Sequence, residues 1–385
     1  MTLNVIRPPR ESGGWKIHVD AHFLVLMESI IAKSSYPVRK VKEMNLNENH
    51  DVINVHFMER LQSKMEELQS QVCLGMDPRF SGNASIPAFL LSDHDGDYNS
   101  TIKEFNSRIL ESARDLVPAI KPQIAYYEAF DAMDALEHTI QLAKKNGILV
   151  IVDAKRNDIG STSEAYARAI FDNLGAGCTT VNPYLGSDCI LPFLKHEGKG
   201  IFVLVKTSNA SSIEFQDLFS VALPGIDPEI SKVPLVYHQR SGWTIDPSLK
   251  DEASSRLFLE RNFIQVARLI NSWNAPFVET WGEEVLGPVG AVIGATFPGQ
   301  LKALRTVMDN TMFLIPGYGF QGGNASDVKY GFLEGKRGAI INSSRGLLYA
   351  YKISKQHACD PGNFEKATIA AIKDMMQSIE KTLGA

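Results

Sequence analysis

The sequence predicts an α/β protein of the (β/α)8, or TIM barrel, class, with an N-terminal extension and a long insertion after the fifth strand. Three observations carry that expectation. From about residue 56, short apolar runs rich in β-branched residues alternate with stretches of helical spacing. The runs are continuously apolar, as strands covered on both faces require. Eight strand–helix units can be read, and eight is the number that closes a parallel barrel.

The strands are expected at Val72–Met76, Ala119–Pro122 (the weakest), Ile148–Val152, Thr179–Val181, Ile201–Val205, Val289–Ile293, Met312–Ile315 and Ala339–Ile341. Helical spacing marks Ile102–Leu116, Ala129–Asn146, Ser161–Leu174, Pro298–Met308 and Asn324–Leu333, with a further helix near Ala253–Trp273. Residues 1–50 show no clear period, and 1–55 are set apart as an extension, leaving 56–385 as the barrel domain. A Pro-rich stretch at about 210–252 follows the fifth strand, at the end where barrels hold their active sites. It reads equally as a lid or as a tolerated surface insertion.

Composition narrows the class. The chain has 385 residues, 44% hydrophobic and 22% charged, with a formal net charge of −5, all ordinary for a globular protein. That charge gives no footprint for nucleic acid or an anionic membrane, and no apolar run is long enough to span a bilayer. Of the four cysteines, Cys73, Cys178 and Cys189 lie in apolar, strand-like runs and Cys359 does not. None forms a CxxC pair, so buried reduced thiols and a cytoplasmic setting are expected rather than a zinc site or disulfides.

The sharpest motif is Asp153-Ala-Lys155-Arg-Asn-Asp158-Ile159, directly after the third strand. With period two, Asp153 and Lys155 point the same way, and two carboxylates near a lysine favour its ammonium form. Alone, this could be a structural salt bridge with an N-cap. Asp77 at the first strand and Lys121 at the second bring further charges to the same end of a closed barrel. After strand seven, Gly317, Gly319 and Gly322 match GxGxxG, the dinucleotide fingerprint. The acidic residue that fingerprint wants is replaced by Asn342-Ser-Ser344-Arg345-Gly. A phosphate grip by backbone N–H groups, Gln321 and Arg345 fits better. Lys206-Thr-Ser208-Asn209 ends strand five with groups suited to a base or sugar edge, or to a plain helix cap. Asp93, Asp95, Asp97, Asn99 and Glu104 imitate a calcium loop, but Tyr98 stands where the turn needs Gly. The histidines show no metal-ligand spacing.

Together these motifs resemble the orotidine 5′-phosphate decarboxylase family over about residues 56–383. The DxKxxDI stretch, Lys121-Pro-Gln, Pro316-Gly-x-Gly-x-Gln321-Gly-Gly, Val181-Asn-Pro-Tyr-Leu-Gly-Ser187 and Asn342-Ser-Ser-Arg345-Gly carry the resemblance, the last two pointing to its bacterial-type branch. It implies conversion of orotidine 5′-monophosphate (OMP) to UMP and CO2 in pyrimidine biosynthesis, without cofactor or metal, by a homodimer. Lys121, Asp153, Lys155 and Asp158 would form a charged tetrad, Lys155 protonating the C6 carbanion and Asp158 reaching the partner subunit's site. Asp77 would bind a ribose hydroxyl, Ile159 and Thr162 the neighbouring ribose and base pocket, and Ser208 the pyrimidine. Gln321 and Arg345 would hold the phosphate, with Pro316, Gly317 and Ser344 beside them. The alternatives are a metal-dependent sugar-phosphate decarboxylase or synthase on the same barrel, and a catalytically silent nucleotide-binding protein.

Overall fold

In a computed structural model, residues 56–220, 235–238, 242–245, 260–282 and 284–384 are described. The N-terminal extension lies outside these residues, as does most of the Pro-rich stretch.

Eight parallel strands close into a barrel: β1 (Val72–Met76), β2 (Ala119–Pro122), β3 (Leu149–Arg156), β4 (Cys178–Val181), β5 (Gly200–Lys206), β6 (Val289–Ile293), β7 (Phe313–Pro316) and β8 (Ala339–Ser343). Each pairs with its sequence neighbours, and β1 pairs with β8 in the register Val72↔Ile341 to Leu74↔Ser343. β3 runs further than its apolar core suggested, because Asp153-Ala-Lys155-Arg156 continues the strand itself.

The longer helices are α1 (Phe57–Leu68), α2 (Tyr98–Ala113), α3 (Met133–Lys145), α4 (Gly160–Arg168), α5 (Asn262–Trp281), α6 (Pro298–Arg305) and α7 (Phe364–Leu383). α4 continues as a π-helical turn over Ala169–Asn173. The helix expected near Ala253–Trp273 instead begins at Asn262 and carries Pro276 in its interior. Helical spacing over Asn324–Leu333 resolves into a four-residue helix, Ala325–Val328, followed by single 3-10 turns. Cys189 sits in a 3-10 turn rather than a strand. The mock calcium loop is a helix start, in which Asp97 accepts from the backbone N–H groups of Asn99 (3.3 Å) and Ser100 (2.9 Å).

Strand alternation divides each strand between two cores. Cys73, Ala119, Ile151, Cys178, Phe202, Val292, Leu314 and Ile340 point into the barrel, one from every strand. Their neighbours face the surrounding helices. α1 closes the lower end of this interior: Phe57, Met58, Leu61 and Met65 are buried against the inner cluster. Polar ties hold the plug, with Leu286 N–H donating to Glu59 (2.7 Å) and Gly338 N–H donating to Gln62 (3.0 Å). The lower half of the barrel is therefore sealed, and the polar side chains that line a cavity stand at the upper end.

A second compact unit takes in Leu218–Asn262, immediately after the loop that leaves β5. Within it Phe219–Ser220 pairs antiparallel with Glu260–Arg261, and Leu235–His238 pairs with Gly242–Ile245.

Candidate active site

The residues two positions beyond the inner apolar layer form the site. Ala119 leads to Lys121, Ile151 to Asp153, Cys178 to Thr180, Leu314 to Pro316 and Ile340 to Asn342, all at the upper mouth. There they line a cavity of about 550 Å³.

Asp153 is its electrostatic centre. Its Oδ2 accepts from Lys121 Nζ at 2.5 Å, and its Oδ1 accepts from Lys155 Nζ at 2.6 Å and Thr180 Oγ1 at 2.8 Å. Burial pushes the Asp153 carboxyl up, but Lys121 and Lys155 outweigh it and hold the group well below the usual carboxylate range. Burial likewise opposes the charged form of Lys121, and Asp153 with Asp77 reverses that, raising its pKa. The two lysines are not equivalent: the Lys121 side chain is 6% exposed and that of Lys155 44%. Lys155 has φ 47°, in the left-handed region that side chains with a Cβ rarely adopt. Its backbone N–H donates to Thr180 Oγ1 at 2.9 Å, so one hydroxyl secures both the carboxylate and the turned lysine.

On the opposite side the loop after β7 folds tightly. Gly317 (φ 98°) needs its glycine, since a Cβ there would also lie 3.0 Å from Gln321 Oε1. Ser208 Oγ from the β5 loop donates to Gln321 Oε1 at 2.9 Å. The Arg345 guanidinium lies over the Phe320 ring, 3.9 Å from its centroid. β1 and β8 approach so closely that a Cβ on Gly75 would come within 2.7 Å of Ser344 Cβ. At this corner Asp77 Oδ1, Arg79 Nε, Asn342 Oδ1 and Ser344 Oγ are buried without a hydrogen-bond partner. Donors and acceptors held ready in this way suit a ligand bearing hydroxyl groups.

Among the described residues, the cavity is lined by four cationic side chains, Arg79, Lys121, Lys155 and Arg345, against the carboxylates Asp77 and Asp153. That balance favours an anion of small-molecule size. No cluster of three or more His, Cys, Asp or Glu side chains able to hold a metal occurs among the described residues. Closure of the sheet removes the dinucleotide alternative raised by the glycine spacing, because an open sheet with a switch point is absent from the barrel.

Of the residues singled out in the sequence, Asp77, Lys121, Asp153, Lys155, Ser208, Pro316, Gly317, Gln321, Ser344 and Arg345 share this cavity. Asp158, Ile159 and Thr162 do not line it. Asp158 accepts from the Ile159 N–H at 2.8 Å, while Ile159 is 51% exposed and Thr162 is also exposed.

Residues 70–225 match the Orotidine 5′-phosphate decarboxylase / HUMPS family. Over 338 residues the chain is 33% identical to the orotidine 5′-phosphate decarboxylase of Rhodopirellula baltica, covering 84% of this chain and 99% of that one. The chain belongs to the orotidine 5′-phosphate decarboxylase family. That family's enzymes are carboxy-lyases. The enzyme of that name from Azoarcus is 36% identical over 302 residues, covering 77% of this chain and 92% of the relative. Among solved structures, Leishmania donovani OMP decarboxylase is similar with a TM-score of 0.58 at 27% identity, covering 86% of this chain and all of that one. Leishmania donovani UMP synthase gives 0.59 at 28% identity over 86% of this chain, which spans only 57% of that longer protein.

Within the decarboxylase barrel, sequence reasoning missed Arg79, Tyr126, Thr180 and Gln216, which also line the cavity. Arg79 donates to Tyr126 Oη and lies over its ring. Counting by twos from Cys178 reaches Thr180, and Arg79 follows Asp77 at the same interval, so a strict period-two count carried past each strand end finds both.

Proposed function

We propose that this chain decarboxylates OMP to UMP and CO2 without a cofactor, in de novo pyrimidine biosynthesis. The observation that carries the reading is an ammonium group, that of Lys155, which lines the cavity and is ion-paired at 2.6 Å to a carboxylate that a second, buried lysine already neutralises.

Breaking the bond from C6 to the carboxylate releases CO2 and leaves its electron pair in the plane of the pyrimidine. That pair has no conjugated sink of the kind cofactors provide. A fixed ammonium stabilises the developing carbanion electrostatically, the more so as the bound nucleotide displaces water from around it. Its N–H bond then breaks as the C6–H bond forms, leaving a neutral amine that regains a proton from solvent. Lys155 takes this role because it is the more exposed of the two lysines; Lys121 holds Asp153 in place. Arg345, Gln321, Pro316, Gly317 and Ser344 grip the phosphate, and Asp77 takes a ribose hydroxyl. Binding energy gained at the phosphate is then available to order the charged groups.

Asp158, Ile159 and Thr162, outside their own cavity, are assigned to the site of a second subunit, which makes the working unit a homodimer in the cytoplasm. The test is the fall in orotate-ring absorbance when purified protein meets OMP, with and without EDTA. Rapid loss insensitive to EDTA supports the proposal. Loss abolished by chelation would assign the chain to metal-dependent sugar-phosphate chemistry instead, and binding without turnover would make it a silent nucleotide-binding protein. The relatives favour neither.

A further inference from the structure

Lys206 ends β5, is fully buried and does not line the cavity. Its Nζ donates to Ser212 Oγ at 2.8 Å, pairs with Asp217 at 3.1 Å and lies 4.1 Å from the centroid of the Phe297 ring. Replacing a buried ion pair by apolar groups is often neutral or stabilising, so stability alone gives little reason for a lysine here.

Its partners suggest a different reason. Residues 207–217 form a loop that supplies Thr207, Ser208, Asn209 and Gln216 to the cavity wall. Ile213 and Phe215 of this loop are each 56% exposed. The loop is held by polar ties near its two ends. Lys206 joins its start to Ser212 and Asp217, while Thr207 N–H donates to Gln216 Oε1 at 2.9 Å and Gln216 Nε2 donates to Thr207 Oγ1 at 2.8 Å. Ser208 is also fixed from the loop after β6, its carbonyl accepting from Thr296 Oγ1 at 3.2 Å.

We propose that Lys206 and Asp217 form a clasp that positions the pyrimidine-facing loop. Lys206 is a positioning residue acting through Ser208. The inference rests on the decarboxylase reading, in which Ser208 faces the base.

The clasp predicts a loss confined to the base end of the ligand. The double variant Lys206→Met/Asp217→Leu removes both charges together, so neither is left buried alone. In the full-length protein, inhibition of OMP turnover by UMP should weaken about tenfold, the scale of one well-placed hydrogen bond. Inhibition by ribose 5-phosphate, which lacks the base, should stay within about twofold of the parent. Unchanged constants for both inhibitors, or equal weakening of both, would overturn the clasp. Should the double variant fail to fold, Asp217→Asn, which breaks the ion pair while keeping the side chain's shape, replaces it. A selective loss for UMP of about threefold is then expected, and none overturns the proposal. Absence of OMP turnover in the parent would count against the decarboxylase reading itself.

Discussion

Lys155 combines two demands that conflict in most sequences: a left-handed backbone, costing about 1–3 kcal/mol, and a long side chain that must meet Asp153. Thr180 reconciles them through its two hydrogen bonds. Replacing Lys155 with Ala should lower kcat at least about a thousandfold with little change in thermal midpoint, because it removes both the charge and the proton. Steady-state kinetics beside a melting curve checks both halves. Thr180→Val keeps the shape but removes the hydroxyl, and kcat should fall about tenfold while KM changes less. A Thr180→Ser variant that restores activity would show that the hydroxyl is what matters. The charged residues were legible in the sequence because ionisable groups ending apolar runs are conspicuous. Thr180 was not, since a threonine in a strand is explained by β-propensity alone.

At the scale of elements, all eight strands were readable, but the full length of β3 was not. Charged residues seldom extend a buried strand, yet β3 continues through Arg156, with Asp153 and Lys155 facing the cavity. Helix α1 escaped notice for a different reason. Phe57, Met58, Leu61 and Met65 do follow helical spacing, but the helix precedes the first strand and its job is defined by the barrel interior it seals. Its cap carries a pH dependence. His56 accepts from Met58 N–H at 3.3 Å and stacks on Trp281 with ring centroids 4.9 Å apart. Burial, helped by Arg60 and only partly opposed by the nearby Leu286 backbone, lowers its pKa to about 4. The folded protein thus holds fewer protons here than the unfolded chain. This contribution is complete above about pH 6.5 and is lost as pH falls towards 4, amounting to about 3 kcal/mol. His56→Asn retains a capping side chain without titrating, so its urea midpoint should fall less than the parent's between pH 7 and 4.5. Parallel slopes would show that His56 does not carry the effect.

For the whole molecule, the closed barrel followed from counting strands and the cavity from where their ends converge. Assembly did not follow, because subunit contacts leave no periodic trace in one chain. The proposed shared site makes a quantitative prediction. Lys155→Ala and Asp158→Asn should each be nearly inactive alone. After subunit exchange, half the dimers are mixed and each contains one intact site, so activity should return to about a quarter of the parent's. No recovery after confirmed exchange would place Asp158 outside the partner's site.

The junction after the β5 loop has a consequence for how this chain tolerates change. Phe263 N–H donates to the Gln216 carbonyl at 3.0 Å, so the chain leaves and re-enters the barrel at almost one point. A segment whose ends are already joined costs little to lengthen, roughly 0.6 kcal/mol for each doubling. Leu218–Asn262 therefore occupies a natural cassette port, where a short Gly-Ser bridge or a foreign domain could be spliced while the barrel closes as before.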